Sequence, residues 1–326
     1  MNFTHHQLPL FLAAAAFTVA TAHAQSNGST YPTKPIRMIV PFTPSSATDI
    51  IARIIGPKLA ERWGKQVVID NRPSAGGIVA FKTVAEATPD GHTLTATGSN
   101  WSGSAALYHG KLPYDPIKDF TGVSQVATTP LVLVVSLGTG AKTLKDWIPI
   151  AKSKPLNFGT SGIGSGPHYA AELFNLTARI KAVHVPYRGS PEVLNDMMAG
   201  RIDYFFSPIL AASALIKSKR VVALGVTTAQ RAPAMPELPT LAEAGLAGYE
   251  YQGWYGILAP AKTSRAIVNQ LAAEIARIVE MPDVKEHIGN QGASAKSSTP
   301  DAFDKLAKDE IATRMKVWKA AGVKAE

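Results

Sequence analysis

The chain has no cysteine. This excludes a disulfide framework, a thiolate metal site and a lipid-modified cysteine after an export signal. Its first 24 residues contain no Lys, Arg, Asp or Glu, and within them lies the one long apolar run, Leu8 to Ala20. That run is too short to cross a bilayer and is followed by Ala22-His23-Ala24, the small-x-small pattern of a signal-peptidase site. Cleavage after Ala24 is expected, leaving the mature chain free in the periplasm. Histidine is sparse as well. Beyond the signal there are only His92, His109, His168, His184 and His287, with no HExxH and no acid-histidine cluster at metal spacing. Neither a metal nor another cofactor is expected.

What remains is a globular protein: 326 residues, 46% hydrophobic, enough for one large domain or two ordinary ones. The formal charge of +9 favours acidic partners. Basic residues are dispersed among acidic ones, so no segment resembles a nucleic-acid arm. The expected partner is a small anion, and the expected state is a monomer.

Strand and helix signals alternate after Ile36, which indicates an α/β protein with mostly parallel sheets and flanking helices. The organising stretch is Ile36 to Gly56. Ile36, Met38, Ile39 and Val40 suit a buried strand, and Pro41 to Pro44 cannot continue it. Ile50, Ile51, Ile54, Ile55 and Leu59 then recur at helical spacing, with Asp49, Arg53 and Lys58 on the polar side. The helix begins near Ser45 to Thr48, so its first amides, with the Ser45, Ser46 and Thr48 hydroxyls, address a point beyond the strand that suits an anion. Ser46 or Thr48 also fits a plain N-cap. The outlet Gly98-Ser99-Asn100-Trp101-Ser102 points past another strand end.

A second such unit is Asn157 to His168, a strand followed by a glycine-rich turn with Pro167 early in a helix. Glycines let the backbone approach a ligand, and exposed amides make an anion nest. The turn lacks the Gly-Lys-Ser/Thr ending of a phosphate loop, the third glycine of a dinucleotide site and the nucleophile-elbow pattern. A hydrolase alternative uses Ser161 or Ser165 with His168 or His184 and Asp49 or Asp203. Tyr187 and Arg188 also follow a strand and open a helix, and Ser207 ends the strand Tyr204 to Phe206. Aromatic residues Trp101, Tyr187, Trp254 and Tyr255 are candidates for an aromatic pocket or for lobe packing.

Two crossings divide the chain. The first lies between GVSQVA and LVLVVS, and the second at QGWYGILAP, Gln252 to Pro260. The expected lobes are residues 25–126 with 255–326, and residues 127–254. The last helix, Pro300 to Ala321, is expected to set its lysines on a solvated face.

IRMIVPFTPSSATDIIARIIG, VVIDNRPSAGG, PDGHTL, KLPYDPIKDF, SGIGSGPHYAAELF, HVPYRGS, GRIDYFF, LPTLAEAG and GWYGILAP, in this order, closely resemble the Bug family, periplasmic solute receptors of tripartite tricarboxylate transporters. The resemblance covers essentially the whole mature chain. It implies a two-lobed periplasmic-binding-protein fold of type II that holds a small carboxylate between two loops, here Phe42 to Asp49 and Ser161 to His168. Gly162 and Gly164 fall in the second. It also implies a non-enzymatic receptor that serves transporter subunits or, alternatively, a membrane sensor. Three departures stand out. Ser45 and Ser46 replace two usual glycines, Ser104-Ala105 replaces an Asn-Pro pair, and Ser207 replaces an acid able to receive a ligand amine. The charge balance points to a dicarboxylate or aromatic carboxylate rather than an amino acid, with a second carboxylate directed toward Arg188 and Tyr187.

Overall fold

The computed structural model describes Met1 and residues 31–324; the run Leu8 to Ala20 and the site at Ala22 to Ala24 lie outside the described residues. β1 (Ile36–Val40) is a nearly fully buried apolar strand, and α1 (Ala47–Trp63) follows it after the proline-bounded turn. β2 (Val67–Asn71), α2 (Ile78–Ala85), β3 (Thr93–Gly98) and α3 (Ser99–Leu107) complete the first series. β4 (Phe120–Thr129) and β5 (Leu131–Ser136) are separated only by Pro130. Proline has no amide to place in a ladder, so one sheet ends there and the other begins. The second series runs α4 (Leu144–Ser153), β6 (Leu156–Thr160), α5 (Gly166–Ala178), β7 (Ala182–Pro186), α6 (Ser190–Met198), β8 (Tyr204–Pro208), α7 (Ile209–Lys217) and β9 (Val221–Val226). β10 (Gly253–Pro260) returns to the first sheet, and α8 (Arg265–Val279), α9 (Pro282–Gly289), β11 (Ser294–Ala295) and α10 (Pro300–Ala321) close the chain.

The first sheet has the order β11-β4-β10-β3-β1-β2, the second β7-β6-β8-β5-β9. Both are mixed. The parallel pairings are β1 with β2 and β3, and β6 with β7 and β8, and every antiparallel pairing involves β4, β5 or β10, the strands at the two crossings. The orders β2-β1-β3 and β7-β6-β8 are the same motif: the first strand lies between the second and third. The sequence shows no repeat, yet the topology repeats. Such reversals of strand order open a crevice at the carboxyl ends of the strands.

β5 is apolar along almost its whole length because it is buried on both faces. Leu131, Leu133 and Val135 enter a core cluster that extends from Phe81 and Phe120 beside the first sheet to Phe158, Phe174 and Tyr204 in the second. Val132 and Val134 enter another, with Val193, Phe205 and Ile209.

The stretch from Ser99 differs from its reading as a polar outlet: it is the first turn of α3. Ser, Asn and Gly are poor helix formers. Burial of Trp101, Ala105 and Ala106 holds the helix despite them. In α10 the lysines Lys305, Lys308, Lys316 and Lys319 are exposed as expected, but Phe303, Ala307, Ile311, Arg314 and Trp318 make a buried stripe that packs on α3 and α5.

At Gly103 the backbone of α3 meets the loop after β6 so closely that a Cβ would lie 2.2 Å from Gly164 O. Alanine gains about 1 kcal/mol of helix propensity over glycine, while overpacking against backbone costs about 1–3 kcal/mol or more. The clash should win. Gly103→Ala is expected to lower the urea midpoint, and a raised midpoint would show that this contact yields freely.

Candidate functional site

In the loop after β1, Ser46 is the N-cap of α1, its Oγ accepting the Asp49 amide at 3.3 Å. Ser45 is left-handed, φ 67°, a conformation that usually selects glycine. Asp49, only 1% exposed, is occupied on every side. Its carboxylate accepts from the Ser45 amide (2.9 Å), Arg53 Nε (2.9 Å) and Asn71 Nδ2 (2.9 Å). Asn71, at the end of β2, also donates to Phe42 O at 3.0 Å, which ties the start of the loop to the same clamp. Burial disfavours the ionised acid, but the hydrogen bonds from Arg53, Asn71 and Ser45 outweigh it and hold the Asp49 carboxyl below its ordinary value.

The loop after β6 repeats the plan. Ser165 caps α5, its Oγ accepting the His168 amide at 3.3 Å, and Gly164 precedes it with φ 77°, the counterpart of Ser45. The His168 ring accepts the Gly164 amide at Nδ1 (3.1 Å) and stacks on His184 (4.0 Å), with the Trp318 ring tilted against it at 4.8 Å. Ser161 Oγ lies 3.3 Å from Ser190 Oγ, and Thr160 Oγ1 lies 2.7 Å from His184 Nε2. Neither Ser161 nor Ser165 hydrogen-bonds an imidazole nitrogen among the described residues, so no Ser-His relay is assembled.

Between the two sheets is a cleft of about 220 Å³. Its walls include the starts of four helices: Ala47 and Thr48 of α1, Ser99 and Asn100 of α3, Gly166 and Pro167 of α5, and Pro208 ahead of α7. Thr129, Leu131 and Gly253 line it at the crossings, and Phe42, Tyr251, Trp254 and Tyr255 give it aromatic surface. No Asp, Glu, Lys, Arg or His is among the lining residues. Burial pushes the Tyr255 phenol up to about 12, so it is a neutral donor.

Of the residues singled out by sequence, Phe42, Ser46, Thr48, Asn100, Trp254 and Tyr255 line this cleft, as does Ser99 of the outlet after β3. The remaining ligand-contact candidates do not. Asp49, Ser165, His168 and Gly164 shape the loops behind it, and Ser45, Ser161 and Gly162 lie in the loops outside its lining. Trp101 is buried edge-on against Phe120 at 5.9 Å. The Tyr187 hydroxyl donates to Asp196 at 2.7 Å, and Arg188 is exposed; neither is among the cleft's lining residues. The second carboxylate position expected at that pair is therefore not part of the cleft. Ser207 is fully buried, its Oγ donating to Pro208 O at 2.9 Å. The sequence marks Ser99 only as one residue of a polar outlet, and it gives no sign of Tyr251, which sits just before the crossing strand with no periodic pattern around it.

Comparison with known proteins places these features in context. Residues 51–323 match the model of the tripartite tricarboxylate transporter family receptor. The chain is 32% identical to Protein BugT of Bordetella pertussis, over 99% of each chain. Among solved structures, it resembles Rpa4515 of R. palustris, determined with adipate, at TM-score 0.80 and 33% identity, covering 90% of this chain and 98% of that one. It also resembles MatC from Rhodopseudomonas palustris, with bound malate, at TM-score 0.75 and 30% identity, covering 88% and 99%.

Loss of either serine cap should cost about 1 kcal/mol, within a range of about 0.5–2. Chemical denaturation of Ser46→Ala and Ser165→Ala tests this, and stability equal to the wild type would remove the caps from the account. A pH effect follows from His184. Burial, then the adjacent His168, pulls its pKa down to about 3. The unfolded chain takes up that proton near pH 6.5, so stability is complete above this pH and is lost as pH falls toward the folded value, by about 1.4 kcal/mol per unit. Between pH 6.5 and 5, His184→Phe should flatten the denaturation-derived stability slope; an unchanged slope would assign it to other groups.

Proposed function

From its membership in the tripartite tricarboxylate transporter receptor family, to which the chain belongs, we propose that it captures a small organic dicarboxylate in the interlobe cleft and delivers it to membrane transporter subunits. The observation that carries this reading is the set of four helix starts lining one cleft that contains no ionised side chain. First-turn amides have no carbonyl of their own helix to bond, and the helix dipole favours negative charge there. An ammonium group finds no acid in the lining. At about 220 Å³ the cleft lies below the roughly 300–1,000 Å³ of drug-sized sites, which supports a small ligand. The adipate of Rpa4515 and the malate of MatC support a dicarboxylate in particular. Four aromatic residues in the lining support an aromatic carboxylate as a second reading.

On this reading residues 25–126 with 255–326 form one lobe and 127–254 the other, closing about Ala127 to Leu131 and Gln252 to Ile257. Residues 1–24 act as an export signal removed after Ala24, and the mature receptor works as a periplasmic monomer without catalysis. The family consists of periplasmic receptors, and no helix among the described residues is long and apolar enough to cross a membrane.

Calorimetry on matched ligands tests the charge reading. A straight-chain dicarboxylate should bind at least about tenfold more tightly than its monoamide, since hydrogen bonds to a charged group are worth about 1.5–3 kcal/mol. Glutarate should also bind better than glutamate. Equal affinity for acid and amide, or preference for the amino acid, would overturn the proposal.

A further inference from the structure

Behind the cleft wall lies an arrangement that the helix starts do not explain. Arg314 of α10 is 0% exposed, and its Nε and Nη1 have no hydrogen-bond partner. A buried guanidinium with unspent donors is costly. Its charge is partly met by Glu310, whose Oε1 accepts from Nη2 at 2.7 Å, and by the Tyr169 ring, 4.2 Å from the guanidinium carbon. Glu310 is itself held on the far side: Oε2 accepts from Trp254 Nε1 at 2.5 Å and from Ser102 Oγ. The pair is thus an oriented dipole whose positive end faces Tyr251.

Tyr251 is the element between this dipole and the cleft. Its oxygen accepts from Arg314 Nη2 at 3.5 Å. The same hydroxyl lies 2.5 Å from where a Cβ on Gly166 would be and 3.3 Å from one on Gly253, both residues of the cleft wall. Beside it, Ser99 Oγ accepts the Trp254 amide at 2.9 Å. Both Ser99 and Tyr251 line the cleft. Ser99 also hydrogen-bonds toward the Tyr251 oxygen, so with both oxygens engaged by donors it is the Tyr251 proton that is left to be given away. Burial raises the Tyr251 pKa, Arg314 lowers it by more than Glu310 raises it, and the phenol stays protonated. A proton donor polarised from behind by a cation is suited to a carboxylate oxygen.

We propose that Tyr251, with Ser99 beside it and Arg314 behind it, receives the second carboxylate of a dicarboxylate whose first carboxylate lies at the start of α1. Tyr251 donates the hydrogen bond, and Arg314 is a positioning residue that acts through it. This rests on the carboxylate reading above and deepens it. Gly166 is required because the hydroxyl occupies the space a side chain would take.

Calorimetry of wild type and Tyr251→Phe tests the assignment, using the straight-chain diacids from succinate to suberate and the monocarboxylate of equal length for each. The phenylalanine ring keeps the packing, and thermal unfolding of both proteins confirms it. The wild type should prefer a diacid over its monoacid, and the variant should lose about tenfold or more of that preference while its monoacid affinity stays within about twofold, as removal of a hydrogen bond to one charged group predicts. An unchanged preference in the variant, equal losses for both acids, or a wild type that binds diacid and monoacid alike would overturn the assignment and leave the carboxylate reading standing. A wild type that binds none of these acids would overturn that reading, and the assignment with it.

Discussion

The first amides of an α-helix have no carbonyl of their own helix to bond, and four helices of this protein direct such ends at one cleft. Much of the structure follows from arranging them. Two occurrences of the same strand order set the carboxyl ends of β1 and β3 against those of β6 and β8. Each helix can then start at the crevice directly from its strand. Pro130 and the return at β10 let two sheets of different composition share that crevice without sharing a ladder.

Holding the loops in place consumes most of the polar groups that look functional in sequence. Asp49 is the clearest case. A carboxylate in the first helical turn looks like a ligand group, yet its oxygens are occupied by Ser45, Arg53 and Asn71. His168 plays the corresponding part in the other loop, through the Gly164 amide. The equivalence of Ser45 and Gly164 explains an otherwise odd choice: both sit just before a capping serine with positive φ. Glycine takes that conformation without strain, whereas serine is held there against about 1–2 kcal/mol, here with its amide fixed on Asp49.

The fold was legible where the sequence carries a period or a breaker. β1, β5, β6 and α10 fall where apolar runs and helical spacing place them. α3 was not, because Ser, Asn and Gly signal a loop and only tertiary burial makes them a helix. At the site, the strand-helix logic pointed to Phe42, Ser46, Thr48 and Asn100, which line the cleft. It also drew in Tyr187 and Arg188, since following a strand says nothing about which way a side chain turns. Arg314 did leave a trace. It stands eleven residues after Phe303 and three after Ile311, on the apolar stripe of α10, where a charge has to find a buried role.

α10 gives that buried role a wider consequence. Its chain neighbours belong with the first sheet, but its stripe reaches Tyr169 and His168 of α5, which follows a strand of the second. The donors of the cleft are divided in the same way, α1 and α3 from one sheet and α5 and α7 from the other. Neutral hydroxyls and helix ends are weak individually, and no single ionic contact dominates. On the proposed reading, affinity therefore depends on both sets of donors being present together, which requires the lobes to be closed. Were the lobes to separate, the donors would be halved and α10 would be drawn away from Tyr169. A receptor that must release its ligand gains from this arrangement, because opening weakens every contact at once, whereas a fixed arginine in the cleft would retain the anion in the open state too.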